Sequence, residues 1–487
     1  MIKNIDNSFD LIQWAEENDV VMVDLKLVDL VGKWHHVTLP ISNFSEKTFE
    51  KGIGVDGSSL GFKTVESGDM CVMPDPNTAF IDSFWEHKTL SLICSVVEAD
   101  TREGVPLDPR SLALRAEKYL KSTGVADKSF WGPELEFHIF SSVAYQNTPE
   151  TCFSYFDCDE ASWNSAREGN LGYTIPYQKG YHAAPPLDAY YNLRSQMTVM
   201  IEEAGVPIKY HHHEVGSTGQ SEIETRFMEL AQAGDSVLKM KYIIKNLAKA
   251  NNKSVTFMPK PIHNEAGNGM HFHQYLRNGD SPIFYDENGY ENLHRKETYF
   301  DLSETAMYYI GGILKHGKAL LAFTNPSTNS YKRLVPGFEA PTNLFFSLAN
   351  RSAAIRIPKS ATSAESKRIE FRPPDATCNP YLAMAAMLMA GLDGIRNKID
   401  PTNPEFGFGP FDDNIFNWSD EQKQKLSPVP TSLEEALLAL KEDNDFLCEG
   451  EVFSRELIDK WIETKMKDVD VFRRRPHPYE VELYYNV

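Results

Sequence analysis

Little in the sequence points away from a reducing, aqueous setting. The six cysteines (Cys71, Cys94, Cys152, Cys158, Cys378 and Cys448) form no CxxC pair. Zinc-site spacing is absent, and a disulfide framework is not expected in a chain of this length. The opening MIKNIDNSFD lacks a basic segment followed by an apolar one, so no secretory signal is expected. The most apolar helical stretch, residues 381–392, is too short for a bilayer and ends at Asp393. Positive charge is scarce: 49 Lys and Arg stand against 69 Asp and Glu, a formal net charge of −20. Phosphate backbones are bound by clustered Lys and Arg, so this balance argues against a nucleic-acid partner. A cytoplasmic enzyme with no membrane partner is the default expectation.

What is present is an ordinary globular composition, 41% hydrophobic and 24% charged over 487 residues. That is enough for two cores, or one large domain with a smaller appendage. Residues 9–17 have an amphipathic helical pattern, and 20–29 alternate, with Val21, Val23, Leu25 and Leu27 on one face of a half-buried strand. Residues 32–38 and 89–97 are further strand candidates, with the loop GVDGSSLGF between them at 54–62. At PLDPR, Asp108 can cap a helix with Pro109 in its first turn and Gly124 at its end. Beyond it, short strands alternate with helices near 188–205, 236–252, 303–323, 379–399, 432–446 and 454–467. The expected class is α+β, with residues 1–105 as a small sheet-rich domain and 106–487 as a large one.

Successive side chains on a strand face opposite ways, so residues i and i+2 share a face. WGPELEFHIF thereby groups Glu134, Glu136 and His138, and SEIETRF groups Glu222, Glu224 and Arg226. GMHFHQYL groups His271 with His273, and RIEFRP groups Glu370 with Arg372. Any one of these is most simply a solvated strand face. Taken together, with apolar residues interleaved, they point to a cation site, because clustered carboxylates repel unless neutralised. Carboxylates suit magnesium or manganese, and a single His beside them leans toward manganese as an acceptable occupant. In HHHEVGSTGQSE (211–222) adjacent histidines cannot all face one ion, and Glu214 is the stronger ligand candidate.

An acidic pocket of this kind can hold ATP when divalent cations bridge its carboxylates to the phosphates. Arg333, Arg351, Arg356, Arg368 and Arg372 supply guanidinium forks for carboxylates and phosphates, with at least one expected to be an ordinary surface or ion-pair arginine. VPGFEAP, around Glu339, reads as a stiffened loop suited to a lid.

The segments GPELEF, HHHEVGSTGQSE, GNGMHFH, NSYKRLVPGFEAP, NRSAAIRIP and RIEFRPPD stand in this order between DGSS at 56–59 and the C-terminal PHPYEVELYYNV. Nearly end to end, the sequence resembles type I glutamine synthetase. That resemblance implies a β-grasp-like N-terminal domain and a catalytic domain whose antiparallel sheet forms a funnel surrounded by helices. It implies a glutamate–ammonia ligase using ATP and two or more Mg2+ or Mn2+ ions per site. Glu136, Glu214 and Glu222 would hold one cation near glutamate and ammonium, and Glu134, His271 and Glu370 a second nearer the ATP phosphates. Arg351 and Arg356 would contact phosphates, with His273 and Phe227 also on the ATP side. Arg372 would meet the reacting carboxylate and Arg333 the α-carboxylate, with Gly267 also at the substrate. Asp56 would deprotonate ammonium, with Ser59, Tyr181 and Glu214 nearby, while Glu339 closes the lid. Glu224 has no ligand role. Asp56 would reach a neighbouring subunit's funnel in an oligomer of stacked hexameric rings.

Two positions depart from the family pattern. The substrate-binding NGSGMH stands here as AGNGMH, so Ala266 replaces an Asn whose contact is lost or supplied by Asn264 or Asn268. Where some members carry an adenylylated Tyr, DDNIFNWSDEQ has Phe416 without a hydroxyl, so no such control is expected. Asp56, Tyr181 and Glu339 favour ammonia over an organic amine or polyamine, and Ala266 keeps that alternative open. The intact ligand set counts against a catalytically inactive structural or regulatory relative.

Overall fold

The computed structural model describes residues 7–291, 299–338 and 340–487. Among these, no helix is long and apolar enough to cross a membrane. The first sheet contains β1 (Met22–Val28), β2 (Trp34–Pro40), β3 (Ile53–Asp56), β4 (Asp69–Pro74), β5 (Phe80–Asp82) and β6 (Thr89–Glu98). Their spatial order is β2-β1-β6-β4-β3, with β5 also on β6. β1 runs parallel to β6 and antiparallel to β2. The expected N-terminal helix forms as Ser8–Glu17 and buries Leu11 and Ala15.

β1 is not the half-buried strand that its alternation suggests. Asp24 and Lys26, on its second face, are as buried as Leu25 and Leu27. That face is covered by Tyr242 of the helix Leu230–Ala250, whose ring lies 4.4 Å from the Lys26 ammonium. Lys26 pairs with Asp24 at 2.5 Å, and the Tyr242 hydroxyl donates to Asp82 at 2.6 Å. Polar side chains are tolerated there because each has a partner.

Asp108 caps the helix Pro109–Thr123 as the sequence indicates, and Gly124 ends it in the left-handed region at φ 72°. The same carboxylate accepts from the Val96 amide at 3.2 Å, tying the helix to β6. Beyond it come β7 (Lys128–Phe140), the separate hairpin β8–β9 (Ser142–Asn147 and Cys152–Asp157), β10 (Ile208–His213), β11 (Gln220–Thr225), β12 (Met228–Glu229), β13 (Ser254–Thr256), β14 (Met270–Asn278), β15 (Ser281–Pro282), β16 (Phe346–Leu348), β17 (Ile355–Ile357) and β18 (Ile369–Phe371). The large sheet has the order β10-β11-β7-β14-β18-β17-β16. It is antiparallel apart from β16 on β17. The class is α+β, as expected.

Helices cover the outside of this sheet. Pro380–Arg396 is buried along nearly its whole length, which its unbroken apolar sequence demands. Its neighbour Glu304–Lys315 comes close through Gly312, where a Cβ would fall 2.0 Å from the Ala390 carbonyl oxygen. The helix expected over 303–323 is in fact two, Glu304–Lys315 and Gly317–Thr324. The break falls at His316, whose ring is held by Asp443 at 2.7 Å and Asp393 at 3.0 Å.

Candidate functional site

Strand register decides which side chains meet. Glu224, Glu134 and His271 are successive partners on β11, β7 and β14. His212, Glu222 and Glu136 form a second row on β10, β11 and β7. Gly132, His273, Glu370 and Arg356 form a third on β7, β14, β18 and β17. Directly paired residues share a face with their Cβ atoms roughly 5 Å apart. Carboxylates far apart in the chain thus become neighbours.

From these rows Glu134, Glu136, His212, Glu222, His271, His273, Arg356 and Glu370 line a cavity of about 350 Å³ that also receives Glu214, Arg333, Arg351, Arg368 and Arg372. Glu134, His271 and Glu370 offer ligand atoms within 4.8 Å of one another, as do His212, Glu214 and Glu222. The first trio is the set implied for the second cation. In the other, His212 joins Glu214 and Glu222, while Glu136 lies 3.7 Å from His271 Nε2 and accepts from the Gly269 amide at 2.7 Å. Hard oxygen donors with one imidazole suit magnesium or manganese, so the residues present fit a divalent cation.

Only the middle histidine of HHH faces the cavity. His213 is turned to Glu160 at 2.6 Å and His211 to the Ser195 hydroxyl at 3.3 Å, as strand alternation requires. His138 shares a strand face with Glu134 and Glu136 but lies beyond the cavity, bonded to Asn268 at 2.9 Å. Arg226, grouped with Glu222 by sequence, falls past the end of β11 and is exposed.

The carboxylates have unequal surroundings. Burial pushes Glu214 and Glu222 well above the usual range, and neighbouring carboxylates, Glu136 prominent among them for both, add to the shift. Burial would do the same to Glu134, but the charge of His273 and hydrogen bonds from His271 and His273 hold it well below that range. Glu370 falls to about 2 against the push of burial, chiefly through Arg372. Arg356 lies 2.5 Å from Glu370, and Arg372 pairs with its other oxygen. One end of the cavity therefore has built-in counter-charge, while the other has a surplus of acid.

Arg333 is buried and donates to the carbonyls of Pro373 at 2.7 Å and Arg372 at 3.2 Å. Gly267 has no room for a side chain, because a Cβ would fall 2.4 Å from the Pro259 carbonyl oxygen and 2.9 Å from Arg333. Tyr181 is half exposed at the cavity wall, stacked on His182 at 4.2 Å, with the Arg351 guanidinium 5.8 Å from its ring. Phe227 stands edge-on to Tyr275 at 4.9 Å and to His273 at 6.5 Å.

Asp56 and Ser59 are not among the residues lining the cavity; both are exposed at the end of β3. Ser59 and Ser58 donate to the Asp56 carboxylate at 2.6 and 2.7 Å and hold it down to about 2. Glu339 lies outside the described residues. Neither Asn264 nor Asn268 stands in for the side chain missing at Ala266. Asn268 is fully buried, with its amide committed to His138, Gln220 and the Met258 carbonyl, and Asn264 faces a different cavity. Glu224 is in an ion pair with Lys209 at 2.6 Å. Lys209, Tyr210, His212 and Gln178 also line the cavity. Residues 208–210 show no clean alternation that would single them out.

Comparison with known proteins gives a consistent picture. Residues 106–484 match the family described as "Glutamine synthetase, catalytic domain", and 19–99 match "Glutamine synthetase, beta-Grasp domain". A glutamine synthetase of Frankia alni is 47% identical over 483 residues, covering 98% of this chain and 99% of that protein. A protein of Cupriavidus pinatubonensis named 3-hydroxylaminophenol mutase is 46% identical, covering 98% and 99%. Among solved structures, the glutamine synthetase of Plasmodium falciparum matches with a TM-score of 0.86 at 28% identity, covering 99% of each chain.

Proposed function

The chain belongs to the glutamine synthetase family, and from that premise we propose that it is a cytoplasmic enzyme joining ammonia to L-glutamate at the expense of ATP. The reading rests on one observation: Glu134, Glu136, Glu214, Glu222, His271 and Glu370 converge on a cavity that also holds Arg333, Arg351, Arg356 and Arg372. Magnesium or manganese ions, held by Glu136, Glu214 and Glu222 and by Glu134, His271 and Glu370, would neutralise the phosphates and the acid surplus.

The rest falls to the chain's own groups. Arg333, fixed by backbone carbonyls, holds the α-carboxylate of glutamate beside Gly267. A γ-carboxylate oxygen attacks the terminal phosphorus of ATP; the new O–P bond forms as the bond to ADP breaks. Arg351, Arg356 and Arg372 offset the charge on the transferring group, with His273 and Phe227 on the nucleotide side. Ammonia then attacks the acyl carbon of γ-glutamyl phosphate, phosphate leaves with the bonding pair, and the nitrogen passes its extra proton to that phosphate, giving the amide.

Ammonium must first give up a proton. Asp56, with Ser59, takes it in the cavity of a neighbouring copy, beside Tyr181 and under a lid carrying Glu339. In the lone chain Asp56 is held near 2, too acidic for that task. Enclosure in another copy's acidic cavity would raise it toward a working base. This arrangement calls for an oligomer, read as stacked hexameric rings, with the chain divided into domains at 105/106.

Glutamine and phosphate should form from glutamate, ATP and ammonium with either cation. No phosphate release under those conditions, nor with organic amines in place of ammonium, would leave a catalytically inactive relative as the surviving reading. A second reading, ligation of an organic amine, draws on Ala266 at the cavity wall. Phosphate release with a panel of amines separates the two: a rate above that with ammonium would replace the first reading.

A further inference from the structure

Beside the pocket, behind Glu134, stands a carboxylate that the proposed reaction does not use. Glu224 sits across from Glu134 on the adjoining strand, is only 3% exposed, and has ligand atoms within 4.8 Å of those of Glu134 and His273. Among the described residues, Glu224 Oε2 and His273 Nδ1 are both buried without a hydrogen-bond partner, while His273 Nε2 lies 2.7 Å from Glu134 Oε1. Two carboxylates and an imidazole at this spacing match a third place for a cation. Lys209 reaches it instead: its ammonium lies 2.6 Å from Glu224 Oε1.

The sheet is deformed at the residue that delivers this charge. β10 pairs Ile208 with Thr225 and Tyr210 with Glu224, so the register slips at Lys209 and the strand carries an extra residue there. On a regular strand Lys209 and Tyr210 would face opposite ways. With the irregularity, Lys209, Tyr210 and His212 all line the cavity. Such bulges re-aim a side chain, often beside an active site.

Glu370 has Arg356 and Arg372 as partners, whereas Glu224 belongs to neither set of residues read as metal ligands and has Lys209 as its ion-pair partner.

We propose that the Lys209 ammonium, aimed by the irregularity in β10, is a tethered substitute for a third cation at Glu134, Glu224 and His273, and fixes the number of divalent ions the pocket takes. The inference rests on the two-cation reading above. It makes Lys209 a positioning residue that acts through Glu224. Removing the ammonium uncovers a site of two carboxylates and an imidazole, which a divalent ion can enter.

The test counts bound Mn2+ by the loss of the free-ion electron paramagnetic resonance signal, on the full-length protein without nucleotide. Lys209→Met should bind about one more Mn2+ per chain than the unaltered protein. Lys209→Arg, which keeps a cation there, should bind the unaltered number, and Lys209→Met with Glu224→Gln should return to it. An unchanged count in folded Lys209→Met, checked by its melting curve, overturns the inference and leaves the enzyme reading intact. A third Mn2+ already present in the unaltered protein also overturns it. If Lys209→Met does not fold, the count falls to Glu224→Gln: with Lys209 present it should keep the unaltered number, and loss of an ion there overturns the idea. Failure of the unaltered protein to bind any Mn2+ would instead remove the enzyme reading on which this rests.

Discussion

Buried charge is handled in opposite ways in the cavity and in the helical layer behind it. In that layer Arg110 donates to both oxygens of Asp235, at 2.9 and 3.0 Å, and reaches Asp75 at 2.7 Å. Arg194 grips Asp188 with two nitrogens at 2.9 and 2.5 Å, and His316 lies between two aspartates. At one end of the cavity, by contrast, Glu214 and Glu222 press against Glu136, with His212 at 3.2 Å from Glu222 as the nearest imidazole. Charges buried for structure come paired, since an unpaired one is costly. A surplus of one sign persists only where something from outside offsets it, and so marks a working site.

Breaking each region should therefore have a different signature. Glu222→Gln removes charge from the surplus, so the cation-free protein should melt no lower than the unaltered one. The same change should cost roughly 10³-fold in glutamine formation. A lower melting point together with retained activity would reverse the roles assigned to the two regions. Arg110→Met should do the opposite. It strands Asp235 and Asp75 and should lower stability by about 3 kcal/mol in urea unfolding. Turnover per folded molecule should stay near the unaltered value, and a loss of turnover without a loss of stability would break the comparison.

How much of this could be read in advance follows the same division. The sharing of a face by Glu134 and Glu136, or by His271 and His273, needs only the two-residue period of a strand, and the sheet bears it out. So does the capping of Pro109–Thr123 by Asp108, a matter of a few adjacent residues. What could not be read depends on contacts remote in the chain. Asp24 and Lys26 look like the wet side of β1 until Tyr242 is found covering them. The run 303–323 looks like one helix until Asp393 and Asp443 are found holding His316 at its break. Lys209 enters the cavity only through a slip in register, which no regular period announces. The long shared motifs pointed to candidate residues that spacing alone would have left unassigned, Asp56 above all. They also raised the question of what replaces the Asn missing at Ala266, and Asn268, locked to His138 and Gln220, is not the answer.

The smallest effect concerns a pair that should respond to pH rather than to ligands. Burial pushes the His316 imidazole down, but hydrogen bonds and charge from Asp393 and Asp443 outweigh it and raise it above its ordinary value. A group raised in the folded state contributes fully below its unfolded pKa, about 6.5, and loses that contribution as pH rises through its folded one. Asp393 is lowered to about 2 despite burial, chiefly by His316. Its share is present above the ordinary carboxylate pKa of about 4 and disappears as pH falls toward the folded value. Both contributions are complete only between about pH 4 and 6.5. His316→Gln should thus cost about 1 kcal/mol in urea unfolding near pH 5.5, a modest figure because Asp443 is partly open to water. Near pH 8.5 the cost should be smaller. Equal costs at both pH values would mean that His316 stabilises the break between its two helices through its stacking on Phe446 at 3.9 Å, and that this site is not among those where the fold pairs its charges.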